Sequence, residues 1–119
     1  MSGRVRICEI GAAQPPAAAT ADLDANGDEP SLRAALAREL EAARARGCRT
    51  LDVRVPEAGP AGVSLRRCAE ILLEEARSHL AGASCIEEIR FLLRGEPALR
   101  VFESVDDAAR IAEQAKRWT

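Results

Sequence analysis

The chain has 119 residues, 47% of them hydrophobic but only 3% aromatic, with a formal net charge of −2. That length fits one domain, whose core must be built mainly from Leu, Val, Ile and Ala. The charge balance excludes a general nucleic-acid-binding surface, which needs a clearly basic face. No apolar run of about 18 residues offers a membrane span.

The first strand signal is Arg4 to Ile10, where Val5 and Ile7 alternate with Arg4 and Arg6. Residues 11–30 are rich in Ala, Pro, Asp and Gly, with Pro15-Pro16 and Asn26-Gly27 among them. That composition predicts a flexible loop. Ser31 to Arg46 then predicts a helix, with Leu32, Leu36, Leu40 and Ala43 on one face and Gly47 at its end. Arg49 to Val55 predicts a strand, with Leu51, Val53 and Val55 facing one way and Thr50, Asp52 and Arg54 the other. Pro56 closes it.

A glycine-bearing loop, Glu57-Ala-Gly-Pro-Ala-Gly-Val63, leads to Ser64, a good N-cap for a second helix to about Leu80. Leu65, Cys68, Leu72, Ala76 and His79/Leu80 form its apolar stripe, and Gly82 its stop. Ile86 to Leu93 predicts a third strand, with Ile89, Phe91 and Leu93 on one face and Glu88 and Arg90 on the other. From Pro97 to Trp118 one long helix is predicted. Ala98, Val101/Phe102, Val105, Ala108, Ala112 and Ala115 keep helical spacing throughout. This order of elements predicts a mainly parallel sheet of three to four strands flanked by three helices.

Strands covered by helices on both faces read as continuous apolar runs, whereas these alternate. The alternation gathers Arg4, Arg6, Asp52, Arg54, Glu88, Arg90 and Arg94 on one side, five positive and two negative groups. One sheet face is therefore expected to carry the helices, and the other to be wet or to meet a protein partner or a second copy.

Few residues suggest chemistry. Cys8, Cys48, Cys68 and Cys85 are widely spaced, with no C-x-x-C pair, and His79 is the one histidine. Free thiols are expected, with no metal and no cofactor. Asp22 to Asp28 copies the first seven positions of an EF-hand loop, but Glu29 and Arg33 stand where an apolar residue and a bidentate Glu belong. A solvated acidic loop is the better reading. Adjacent acidic pairs, such as Glu74-Glu75 and Asp106-Asp107, point apart and make poor acid/base dyads. His79, in the last turn of its helix, complements the helix dipole. The N-terminus has no apolar stretch of signal-peptide length, so a cytoplasmic location is expected. Lys116 is the one lysine beside 16 arginines, which fits a GC-rich, bacterial-type coding sequence.

A glycine loop that leaves a strand and enters a helix offers backbone N–H groups and a positive dipole end to a phosphate. Gly59, Pro60, Ala61, Gly62, Val63 and Ser64 are the candidate ligand-binding residues on that ground. Taken in order, Leu32-Arg33-Ala34-Ala35-Leu36, Gly47, Thr50-Leu51-Asp52-Val53, Gly59 to Ser64, Ile86 to Leu93 and Leu99-Arg100-Val101-Phe102 resemble the C-terminal half of a macro domain, the ADP-ribose-binding module. The resemblance spans some 70 to 75 residues. The family's N-terminal half carries an Asp that holds the adenine and an Asn-Ala-Ala-Asn stretch near the distal ribose; neither is found here. The resemblance thus implies a shortened macro-like α/β domain without a catalytic residue. It implies two roles: a non-catalytic interaction or assembly domain, or a module binding ADP-ribose or another nucleotide diphosphate through Gly59 to Val63.

Overall fold

A computed structural model describes residues 3–10, 19–23, 29–55, 63–82 and 85–117. Along the chain run β1 (Arg4–Glu9), β2 (Ala19–Asp22), α1 (Glu29–Ala45), β3 (Thr50–Arg54), α2 (Leu65–Ala81), β4 (Glu88–Leu93) and α3 (Glu96–Arg117). The strands form one parallel sheet in the order β1-β4-β3-β2. The expected α/β class and parallel sheet are present.

The segment read as a loop over 11–30 needs correction, because β2 lies within it. Ala-Thr-Ala-Asp is too short, and too poor in large apolar residues, to announce a strand by periodicity. Its position comes from β3: Ala21 pairs with Val53, and the Leu23 amide donates to the Arg54 carbonyl at 3.2 Å. Residues 11–18 and 24–28 lie outside the described residues.

Both β2-α1-β3 and β3-α2-β4 step the same way across the sheet. Right-handed crossovers therefore place α1 and α2 on one face. The packing agrees: α1 lies on α2, α2 on α3, and α3 on β1. Leu36 and Leu40 of α1, Ile71 and Leu72 of α2 and Phe102 of α3 are completely buried, as are Val53, Ile89 and Phe91 of the sheet. The Phe91 and Phe102 rings meet at 6.1 Å and 45°, a tilted geometry that suits their quadrupoles. Gly47 ends α1 at φ +73°, a left-handed conformation that admits glycine without strain. Beside it the Cys48 amide donates to the Ala43 carbonyl at 3.0 Å.

The long closing helix forms as expected, but its apolar stripe is buried only to Asp106. Ala108, Ala112 and Ala115 are exposed. The cause is length. At about 1.5 Å per residue a 22-residue helix runs about 33 Å, while a six-residue strand spans only about 20 Å. The last turns of α3 outrun the sheet.

Candidate functional site

All four strands run in parallel, so the helices that follow β3 and β4 start at the carboxyl edge of the sheet. This edge is where open α/β sheets bind ligands. Helix N-termini present partial positive charge there. Glu29 occupies the first turn of α1 and Glu96 that of α3, but α2 has no acidic residue in its first turn. It has Arg66 and Arg67 instead. Basic residues at a helix N-terminus oppose the dipole unless an anion accompanies them.

Ser64 caps α2 as the sequence predicts. It is extended at φ −66° and ψ 155°, and its hydroxyl accepts from the Arg67 amide at 3.1 Å. The Cys68 amide donates to the Ser64 carbonyl at 2.8 Å. The amides of Leu65 and Arg66, the first two of the helix, have no partner within it. Arg67 Nε donates to Glu29 Oε1 at 2.9 Å, tying the start of α2 to the start of α1. Arg66 faces Glu70 at 3.9 Å. At the ends of β2 and β3, Arg54 approaches Asp22 at 3.8 Å. Arg94 is exposed just past β4.

Of the six residues predicted to bind ligand, the structure places Val63, half-buried against the core, and Ser64 at the cap. Gly59, Pro60, Ala61 and Gly62 lie outside the described residues. Arg66 and Arg67 were not singled out from the sequence, and Arg54 was named only for the charged sheet face. The run Ser64-Leu-Arg-Arg67 held a usable signal, a helix start with two cations and no acid.

The charged face of the sheet also needs correction. Asp52 and Arg90 are only 7% and 3% exposed, not open to solvent or a partner. They are register partners on the two central strands, and Arg90 Nε donates to Asp52 Oδ1 at 2.6 Å. Toward β1 the face is more open, with Arg4 and Arg6 reaching Glu88 at 3.2 and 3.5 Å.

Among the described residues no three His, Cys, Asp or Glu side chains lie together as a metal site would need. Burial pushes the Cys68 thiol up to about 11, and burial also raises Cys8. Both are protonated at neutral pH and are poor nucleophiles. Cys85 is exposed, and its thiol donates to the Cys48 carbonyl at 3.4 Å. His79 lies at the opposite end of α2 from the carboxyl edge. Of the residues in the EF-hand-like run, Asp22 pairs with Arg54 and Leu23 is buried. A cleft of about 640 Å³ opens at the other end of the sheet, between α2, α3 and the start of β1. Its buried Asp106 is held by Arg77 and by Arg110, the latter at 2.7 Å, and so pins α3 to α2. No described helix is long and apolar enough to cross a membrane.

The helix-backed parallel sheet and its placement of α2 define a partial macrodomain-like fold. No family model matches the chain, and no curated protein matches it. Among solved structures, the Trypanosoma brucei macrodomain in complex with ADP aligns at a TM-score of 0.60 and 21% identity, as does its complex with ADP-ribose. Each alignment covers 68% of this chain and 35% of that one. The Oceanobacillus iheyensis macrodomain with MES bound aligns at a TM-score of 0.64 and 14% identity, over 71% of this chain and 44% of that one. This chain therefore spans less than half the length of the macrodomains it matches.

Proposed function

We propose that the chain is a non-catalytic, macro-type binding module for ADP-ribose or a related nucleotide diphosphate. Its anionic pyrophosphate sits against the Gly59–Ser64 loop and the start of α2. The observation that carries this reading is the α2 N-terminus. It is the one first turn among the three helices without its own carboxylate, and it holds Arg66 and Arg67. The likeness to macrodomains solved with ADP and ADP-ribose supports the choice of ligand class. The site is built from one strand end, one loop and one helix, so affinity is modest. A dissociation constant of tens of micromolar to millimolar, about −4 to −6 kcal/mol, is expected.

Titration calorimetry with ADP-ribose, ADP and adenosine tests it. ADP-ribose and ADP should give heat and adenosine little, because the pyrophosphate is the anchor. Gly62→Val should abolish binding by filling the space for backbone approach, while circular dichroism stays unchanged. Absence of heat at millimolar ADP-ribose and ADP would overturn the assignment.

A further inference from the structure

The amino edge of the sheet, opposite the candidate binding edge, gathers two of the four cysteines. Cys48 and Cys85 are 37 residues apart in the chain. Each comes just before a strand, β3 and β4, and these strands are neighbours in the sheet. The Glu87 and Glu88 amides both donate to the Arg49 carbonyl, at 2.7 and 3.1 Å, which carries the pairing back beyond the strand starts. Cys85 Sγ lies 3.4 Å from the Cys48 carbonyl oxygen and 3.5 Å from the Arg44 carbonyl oxygen at the end of α1. A carbonyl oxygen stands about 2.4 Å from its own Cα, so this sulfur is within about 6 Å of the Cys48 Cα. A disulfide needs Cα atoms about 4.4–6.8 Å apart, and adjacent strands lie about 4.8 Å apart.

The four thiols differ in access. Cys68 is fully buried, and burial pushes it up to about 11. Cys8 is raised by burial as well, and its place opposite Leu92 puts it in the carboxyl half of β1, away from the other three. Cys85 is exposed and Cys48 half-buried beside it. The Arg44 guanidinium is close enough to act on charge at Cys85, and a neighbouring cation supports the thiolate through which disulfide exchange runs. An accessible thiol with a shielded one next to it is the arrangement of an attacking and a resolving cysteine.

We infer that Cys85 and Cys48 are a reversible oxidation site, at which a low-molecular-weight disulfide such as oxidised glutathione forms a bridge between them. In the first step the Cys85 thiolate attacks one sulfur of glutathione disulfide. The S–S bond breaks, one glutathione leaves as thiolate and takes a proton, and the other stays on Cys85. In the second step the Cys48 thiolate attacks Cys85 Sγ, the mixed disulfide breaks, and the second glutathione leaves with the proton Cys48 gave up. Two protein thiols are oxidised and one glutathione disulfide is reduced to two thiols. The bridge ties the starts of the two central strands and closes a loop that holds β3 and α2. In a reducing compartment such a bridge is transient and reports redox state.

Oxidation of the full chain with excess glutathione disulfide tests the inference, and ligand binding plays no part in it. Remaining thiols are blocked, and the unreduced protein is mapped by peptide mass. The expected product has lost two hydrogens, carries no glutathione and joins the Cys48 and Cys85 peptides. Its melting temperature should rise by at least about 5 °C, because the bridge constrains the unfolded chain. Dithiothreitol should reverse both changes. Cys48→Ser should stop at glutathione held on Cys85, and Cys85→Ser should leave Cys48 unbridged. The map of the unsubstituted chain decides the matter even where a variant does not fold. Glutathione retained on Cys85 in that chain, a bridge to Cys8 or Cys68, or four thiols still free would each overturn the inference. A Cys48–Cys85 bridge that lowers the melting temperature would overturn it too, since the native fold would then not hold the two thiols together.

Discussion

The two faces of the sheet are made by the same strands, yet they are held in different ways. On the helix face Leu51, Val53, Ile89 and Phe91 are nearly inaccessible and belong to one apolar core cluster. On the other face, one residue along, Asp52 and Arg90 are almost as buried but interact through charge. The first face is stable because water is excluded from apolar surface. The second is tolerated because two opposite charges fall in register on neighbouring central strands. Removing a methylene from one face leaves a cavity, whereas removing a charge from the other takes an ion-pair partner from a buried group.

The largest expected effects come from breaking each face at its centre. Phe102→Ala, which empties the space against Phe91, should cost about 3–5 kcal/mol in denaturant melts. Asp52→Ala should cost a similar ~3–5 kcal/mol, because Arg90 remains buried without its carboxylate. The two losses differ in how they are repaired. Replacing Asp52 and Arg90 together by leucines should recover most of the stability, since well-packed apolar pairs match buried ion pairs. If the double variant is as unstable as Asp52→Ala, the charged face depends on more than this pair.

A smaller effect is expected from pH. Burial of Cys68 among apolar groups raises its pKa from 9.0 to about 11. A thiol raised on folding contributes stability that is complete below the unfolded pKa and is lost as pH rises through the folded value. Stability should therefore fall between pH 9.0 and about 11, by on the order of 2–3 kcal/mol. Cys68→Ala should remove that alkaline slope, as melts across the pH series would show. Next comes Ser64→Ala, which deletes the α2 cap and should cost about 1 kcal/mol. The smallest effect sharpens the contrast within the charged face. Arg4 pairs with Glu88 at the open β1 end, where its side chain is 70% exposed. Arg4→Ala should change stability by only about 0.2–1 kcal/mol, and less at high salt.

The helix cap beside the candidate site was legible in the sequence. Ser64 follows a glycine loop and precedes an apolar stripe at helical spacing, and each feature reports on local backbone preference. The N-cap bond to the Arg67 amide is the direct outcome. The arginines nearby were harder to read, because their relevance depends on which helix starts share an edge. Glu29 and Arg67 are 38 residues apart, yet meet because α1 and α2 lie side by side.

The sequence alone determined the elements whose periodicity is strong: the three helices, the three longer strands, the Gly47 stop and the apolar stripes of α1 and α2. These follow from local sterics and from the repeat of apolar residues, which a linear chain carries in full. The tertiary structure alone decided the rest. It made a strand of Ala19–Asp22 by giving it β3 as a partner, and it left the last turns of α3 exposed because the sheet ends before the helix does. It also turned Asp52 and Arg90 from two charges expected at a surface into one buried pair. Register between distant strands sets which charges meet, and no local preference encodes that distance.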